Sequence, residues 1–330
     1  SLHDALPIWA IVCLALFAGL ISAFVDNVST VLMIAPVALV ISRKLDMDPV
    51  PMIISIAVSS NLQGAATLVG DTTAIMLGSY AHMSFLDFFW YKGRPSIFFA
   101  VELGALLSAV IVYFIFNKEK QKVPAQEKTV VSDYVPTYLL FGAILLLIIA
   151  SFIPGTPSAI NGIICCSLFI VGIIYTLIKR GSEAKTVITN AFKEIDFNTI
   201  GLLIGLFLVI GGIEHMGVID AVADILVGVG GGTFVIYTVI VWASVLFSAF
   251  IDNIPYVATM LPVIQGLASK MGLDPTVLYF GLLSGATLGG NLTPIGASAN
   301  ITGIGILRKE GCEVKTSDFM KIGVPFTLAA

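Results

Sequence analysis

The sequence predicts an all-α polytopic membrane protein built from inverted-topology repeats, each with a re-entrant helical hairpin and a broken transmembrane helix. Three observations carry that expectation. Charged residues make up 12% of the 330 residues, about half the soluble average of roughly 25%, while apolar residues reach 57% and the mean hydropathy is +1.00. Several apolar segments of spanning length hold no Lys or Arg. A residue pattern recurs at a fixed offset, with polar breaks at the same places in each copy. The net charge of −4 and the lack of a basic cluster interleaved with aromatics exclude nucleic acid as a partner.

Taken in order, residues 1–8 show no initiator Met, no basic region and no cleavage site, and are set aside with His3 as a scar or non-native start. Residues 9–116 form a first repeat of hairpin, broken helix and spanning helix, expected to lack spans that would precede its hairpin. Within it, residues 96–116 number 21, which at about 1.5 Å per residue is roughly 31 Å, the thickness of a hydrocarbon core. Residues 117–136 are the only long polar run and read as a cytoplasmic linker. Residues 137–330 form the second, inverted repeat of three spans, hairpin, broken helix and the start of a last span. Its segments 138–153, 159–178, 197–213 and 233–251 carry no Lys or Arg, as a helix in lipid requires.

Basic residues set the expected orientation. Lys118, Lys120, Lys122 and Lys128 follow one span, and Lys179, Arg180, Lys185 and Lys193 separate two others, so both loops read as cytoplasmic. The uncharged loop 154–158 then belongs outside. The stretch with Glu214, Asp220 and Asp224, ending in Gly228, Gly230, Gly231 and Gly232, reads as an external interfacial segment.

The repeat is explicit. Ser22-Ala23-Phe24-Val25-Asp26-Asn27 returns as Ser248-Ala249-Phe250-Ile251-Asp252-Asn253, an offset of 226 (248 minus 22). The same offset joins Pro36 to Pro262, Asp48-Pro49 to Asp274-Pro275, Gly64 to Gly290, Thr67 to Thr293 and Gly70 to Gly296. Arg43 and Lys44 close the first copy's opening segment on the cytoplasmic side. The matching turn near Lys270 falls outside if Arg308, Lys309 and Lys315 are cytoplasmic, so the copies point opposite ways, the signature of secondary transporters.

In each copy an apolar run arrives at Asp-Asn and another of about a dozen apolar residues leaves it. A charge at mid-bilayer costs about 2.5 to 3.5 kcal/mol, which favours a re-entrant hairpin with Asp26-Asn27 or Asp252-Asn253 at a cavity-lining tip. The following segments carry their own breakers, residues 64–71 in one copy and 289–296 in the other. Such unwound loops free carbonyls for a cation and point half-helix N-termini at an anion.

At these residues the sequence resembles the ion-transporter superfamily of citrate-type permeases, most closely the branch of arsenical-pump membrane proteins, the melanosomal P protein and D-type sodium/proton antiporters. The resemblance rests on Ile251-Asp252-Asn253-Ile254-Pro255 followed by Gly289-Gly290-Asn291-Leu292-Thr293-Pro294-Ile295-Gly296-Ala297-Ser298-Ala299-Asn300, and it covers nearly the whole chain. The divalent-anion/sodium symporters are more loosely similar, because their Ser-Asn-Thr tip is replaced here by Asp26-Asn27-Val28 and Asp252-Asn253-Ile254. The resemblance implies a secondary active permease working by alternating access in the cell membrane, for arsenite or antimonite efflux or for sodium/proton exchange. A citrate or dicarboxylate symporter is the alternative, and a channel-like or structural subunit the alternative of another class. No enzyme motif or ATPase element appears. The partners so implied are a small ion and the lipid bilayer, with a homodimer and, for an arsenical pump, a separate ATPase subunit as further candidates.

The candidate ion-binding residues are Asp26, Asn27, Ser29, Gly64, Thr67, Gly70, Asp71 and Thr72 in the first repeat, and Asp252, Asn253, Gly290, Asn291, Thr293, Gly296, Ser298 and Asn300 in the second. Asp26, Asn27, Asp252 and Asn253 are the candidates for Na+, since carboxylate, amide and carbonyl oxygens suit a hard cation; a proton on the acids is the other coupling ion, and no cofactor is expected. Capping of backbone N–H groups is the competing role for Asp26 and Asp252. The glycines are read as permitting backbone geometry. Asp71 faces Ala297 in the repeat and either makes the half-sites unequal or caps a helix. Adjacent Cys165 and Cys166 point about 100° apart on a helix and are read as packing residues, not as an arsenite site. Glu102 is read as a helix-end or interhelical acid, His82 and His215 as interfacial, and the aromatic run 85–91 as an interfacial belt.

Overall fold

A computed structural model describes residues 6–116, 133–153, 157, 159–181, 184–193 and 197–330. Residues 1–5, the linker lysines Lys118, Lys120, Lys122 and Lys128, and residues 154–156 and 158 of the uncharged loop lie outside the described residues. The first repeat contains α1 (Leu6–Ser22), α2 (Asn27–Leu45), α3 (Pro49–Gly64), α4 (Thr72–Tyr80) and α5 (Ile97–Phe116). The second stretch contains α6 (Val135–Ser151), α7 (Ile160–Arg180), α8 (Ala184–Lys193), α9 (Phe197–His215) and α10 (Val218–Gly228). It continues with α11 (Thr233–Ser248), α12 (Asn253–Met271), α13 (Thr276–Gly290), α14 (Ser298–Lys309) and α15 (Thr316–Ala329). Between α4 and α5 a 3-10 turn (Phe85–Phe88) leads into a two-residue hairpin, β1 (Trp90–Tyr91) against β2 (Arg94–Pro95), with Trp90 opposite Pro95. Its turn residues Lys92 (φ 47) and Gly93 (φ 78) are both left-handed, as a tight hairpin requires. Among the described residues the chain is thus an all-α membrane protein but for this hairpin.

The segments free of Lys and Arg read from sequence appear as α5, α6, α7, α9 and α11, with ends shifted by a few residues where caps intervene. By length and composition, Asn27–Lys44, Ile97–Phe116 and Ile160–Arg180 are long and apolar enough to cross a membrane. Ile204–His215 and Val218–Gly228 pass that test together but bend by 71°. The second member, α10, is the acidic segment after Ile213. Lys270, at the end of α12, donates to Asp220 O at 3.1 Å and to Asp224 Oδ1 at 2.7 Å, tying α10 to α12.

The repeat holds in the structure residue for residue. Shifted by 226, α2 coincides with α12, the ends of α1 and α3 with those of α11 and α13, and the start of α4 with that of α14. Asp46 (φ 52) and Gly272 (φ 65) close α2 and α12 in the same left-handed conformation. The run of about a dozen apolar residues that leaves each tip lies in a helix of 19 residues. Each is capped by its Asp, accommodates Pro36 or Pro262, and continues through basic residues that favour a helix C-terminus.

The core is formed around α3 and α13, which bury most of their residues. Every residue of α3 from Met52 to Gly64 is buried, including Ser55, Ser59, Ser60, Asn61 and Gln63. The repeats exchange contacts. From the second, α14 lies on α2 and α3, where a Cβ on Gly303 would meet Ile53 at 3.2 Å and Ala57 at 3.6 Å. From the first, α4 lies on α12 and α13, with the Tyr80 and Tyr279 rings 6.1 Å apart. By contrast α7 buries no residue and packs on α6 and α8, leaving apolar side chains such as Ile163, Ile170 and Ile174 exposed.

Candidate functional site

Each tip is built by a turn between two helices. In the first repeat Ala23 to Asp26 connect α1 to α2; Asp26 caps α2, its Oδ2 accepting from Ser29 N at 3.1 Å and from Ser29 Oγ at 3.4 Å. In the second, Asp252 Oδ1 accepts from Ile254 N at 3.0 Å and Oδ2 from Ser298 Oγ at 2.9 Å. Both acids are half-buried and occupied in capping, and Ser29 is exposed.

The break loops, residues 65–71 and 291–297, cross directly over these tips. Thr67 Oγ1 donates to Ala23 O, and Thr293 Oγ1 donates to Ala249 O, the equivalent bond in the other repeat. The crossing leaves no room for a side chain. A Cβ on Gly70 would lie 2.5 Å from Gly64 O and 2.7 Å from Ala23 O, and one on Gly296 would lie 2.8 Å from Gly290 O and 3.0 Å from Ser248 O.

The two tips meet through the first loop. Asn27 and Asn253, the first residues of α2 and α12, are 5% and 3% exposed, and both turn toward Asp71, itself 3% exposed. Asn27 Nδ2 approaches Asp71 Oδ1 at 3.4 Å, Asn253 Nδ2 approaches Asp71 Oδ2 at 3.4 Å, and Thr73 Oγ1 donates to Asp71 Oδ2 at 2.7 Å. The amide contacts are long, at the weak end of hydrogen bonding. Asp71 holds the N-cap position of α4 without a side-chain capping bond, so its oxygens are given to the junction. Thr72 is half-buried, and its hydroxyl makes no bond to this group among the described residues.

A further amide joins them. Asn61, fully buried on α3, accepts from Asn27 Nδ2 at 3.2 Å and donates to Asn291 Oδ1 at 2.9 Å and Thr287 O at 3.0 Å. Asn291 Nδ2 donates back to Val58 O at 3.0 Å, so the ends of α3 and α13 are cross-tied. Asn61 is absent from the sequence-derived candidates because its counterpart is Thr287 and a repeat comparison favours matched positions. Its signal is the polar run Ser59-Ser60-Asn61 inside an apolar helix.

The junction thus brings together Asn27, Asp71, Asn253 and Asn291 from the predicted set. Asp26, Ser29, Asp252 and Ser298 stand at its edge as caps. Asn300 braces the second loop, donating to Gly290 O at 2.8 Å and Thr293 O at 3.1 Å, and its Oδ1 is buried without a partner among the described residues. No Lys, Arg or His is buried among the described residues, so Asp71 is bonded to amide and hydroxyl groups, with the capping carboxylates of Asp26 and Asp252 as the charges within reach of it. No group of three or more His, Cys, Asp or Glu that could hold a metal occurs among them either. Such neutral oxygens with one carboxylate suit a hard cation. Glu102 lies apart on α5 with Oε1 unpartnered among the described residues, His82 and His215 sit at helix ends, and Cys165 and Cys166 are exposed on α7.

Comparison with known proteins agrees with the motif resemblance. A family model described as Citrate transporter matches residues 6–285. The chain is 32% identical over 330 residues to the 46 kDa membrane protein of Mycobacterium leprae, covering 98% of this chain and 75% of that one. It is 30% identical over 326 residues to an uncharacterized transporter of Mycobacterium tuberculosis, covering 97% and 74%. To the P protein of Homo sapiens it is 26% identical over 408 residues, covering 98% of this chain and 48% of that protein. A match over so much of its length, to a family of permeases, makes this chain a member of the citrate transporter family.

Proposed function

We propose that this permease exchanges sodium ions for protons across the cell membrane by alternating access, with the junction around Asp71 as its ion site. The observation that carries the reading is one carboxylate, 3% exposed, held between an amide from each repeat with no buried cationic side chain among the described residues. A lone acid at that depth is expensive when charged, and either a proton or a monovalent cation relieves it. Oxygens of Asp71, Asn27 and Asn61 and the first loop's carbonyls are the ligands a sodium ion takes. A citrate or dicarboxylate at the same spot meets like charge with no compensating cation. Arsenite or antimonite, taken as the neutral hydroxide, leaves the acid without a role. The exchanged packing of α4 and α14 between the repeats supports an inverted pair of bundles, the architecture alternating access uses.

The test is reconstitution into proteoliposomes under a sodium gradient, with internal pH and radiolabelled sodium followed together. Coupled exchange is expected for the wild type and loss to background for Asp71→Asn, with Asn27→Ala and Asn253→Ala both impaired. Transport of citrate or arsenite without coupled sodium and proton movement overturns the reading. Sodium leakage without proton counterflow identifies a channel, and no flux of any kind a structural subunit.

A further inference from the structure

The two break loops hold equivalent places in the repeat, share Thr67/Thr293 and Gly70/Gly296, and are unequal in what their carbonyls meet. In the second repeat the Asn300 amide already pairs with Gly290 O and Thr293 O, two carbonyls available at the break. The counterpart of Asn300 in the first repeat (300 minus 226) is Ala74. Among the described residues no side chain donates to Gly64 O or Thr67 O, apart from which both loops share one 3.4 Å backbone bond, Gly70 N to Thr67 O and Gly296 N to Thr293 O. The loop acid is unmatched as well: Asp71 belongs to the first loop and Ala297 stands at its place in the second, while the tip acids Asp26 and Asp252 are present in both repeats, Asp252 bonded to Ser298 beside the second loop. Asp71 packs against Gly64, the residue that carries one of these carbonyls: a Cβ on Gly64 would lie 3.2 Å from Asp71 Cβ. A cavity of about 590 Å3 between α4 and the α6–α7 pair borders this same loop at Leu68 and Val69, with His82 and Asn161 among its polar lining.

We infer that only the first repeat's loop takes a cation, at Asp71 with the Gly64 and Thr67 carbonyls, and that the second loop is a structural copy locked by Asn300. This rests on the sodium/proton reading of the junction and deepens it into a stoichiometry. One carboxylate that receives sodium and a proton in turn exchanges one charge for one charge, so transport is electroneutral. The unpartnered Asn300 Oδ1 is a single neutral oxygen, and the acid beside this loop, Asp252, is bonded to Ser298 and to its own helix; a cation held there is the second equivalent that a titration counts.

Calorimetric titration of the purified protein with NaCl is expected to give one equivalent of sodium per chain on a simple hyperbola, with binding lost in Asp71→Asn. Ala74→Asn sets an amide over the first loop's carbonyls, as Asn300 does in the second, and is expected to raise the half-saturating sodium concentration by about tenfold, the equivalent of roughly 1.4 kcal/mol. In proteoliposomes clamped with valinomycin and potassium, the exchange rate is expected to be the same at either sign of membrane potential. Two equivalents of sodium, a sigmoidal isotherm, or a rate that follows the potential overturns the inference, and these wild-type measurements stand even if Ala74→Asn does not fold. A folded Ala74→Asn with unchanged sodium affinity overturns it as well. One equivalent bound without any exchange defeats the exchange reading and leaves the single site standing; exchange with two sodium ions bound does the reverse.

Discussion

At positions 26 and 252 a carboxylate caps a helix, and at positions 27 and 253 an amide begins it; that step of one residue decides which group faces Asp71. The capping geometry turns each Asp back on its own helix, to Ser29 N or Ile254 N, and the next side chain inward. Asn caps as well as Asp, so Asp26→Asn is expected to change stability by only a few tenths of a kcal/mol and Asp26→Ala to cost about 1 kcal/mol, read by unfolding in mixed micelles. Asp252→Ala removes the Ser298 bond too and is expected to cost more than Asp26→Ala; equal costs would show that this bond is energetically silent. Gly70→Ala puts a methyl group 2.5 Å from Gly64 O, a backbone atom that moves only with its loop. Loss of transport is therefore expected there with the helices still formed by circular dichroism.

The helix pairs α1/α3 and α11/α13 solve one packing problem in opposite ways. In the second pair Gly281, Gly285 and Gly289 recur every four residues on α13 and lie against Tyr237, Val241 and Val245 of α11; a Cβ on Gly289 would be 2.4 Å from Val245 O. At the matching contact of the first pair the glycine has changed helices: Gly19 of α1 faces Gln63 of α3, whose counterparts are Val245 and Gly289. Small against large is kept while the bearer is exchanged. The consequence is unequal tolerance. Gly289→Ala drives a methyl group into backbone and is expected to destabilise by about 1 to 3 kcal/mol. Gly19→Ala meets the far end of the Gln63 side chain, which can swing aside, and is expected to destabilise less; the order of the two unfolding midpoints checks this.

Across the whole molecule, ion pairs at the helix ends join the repeats. Arg43 at the end of α2 pairs with Glu310 after α14, and Lys92 in the β-hairpin turn pairs with Asp274 ahead of α13. The Lys92 ammonium, with Thr276, holds the Asp274 carboxyl down to about 2 from its ordinary 3.8. A folded-state value below the ordinary one contributes stability above about pH 4 that is lost as pH falls through about 2. Lys92→Ala is expected to flatten that acid limb of the thermal stability profile. Because Lys92 and Asp274 are largely exposed, the loss at neutral pH is expected to stay within about 1 kcal/mol and to shrink with added salt.

The sequence by itself determined the class of molecule, the five spans free of Lys and Arg later seen as α5, α6, α7, α9 and α11, and the repeat with its breaks. Those properties follow from scarcity of charge, from segment length and from matched residues, all of which are linear in the chain. It also marked Asn27, Asn253 and Asp71 as polar residues at breaks. Only the tertiary structure decided which of them meet: Asp26 spends its oxygens on its own helix and Asp252 divides its own between α12 and Ser298 of α14, whereas Asp71, without a counterpart in the other repeat, receives an amide from each. Asn61 and the bracing of one loop by Asn300 were hidden for the same reason. A repeat comparison rewards symmetry, and the contacts that distinguish the halves arise where the packed chain departs from it, between residues far apart in sequence.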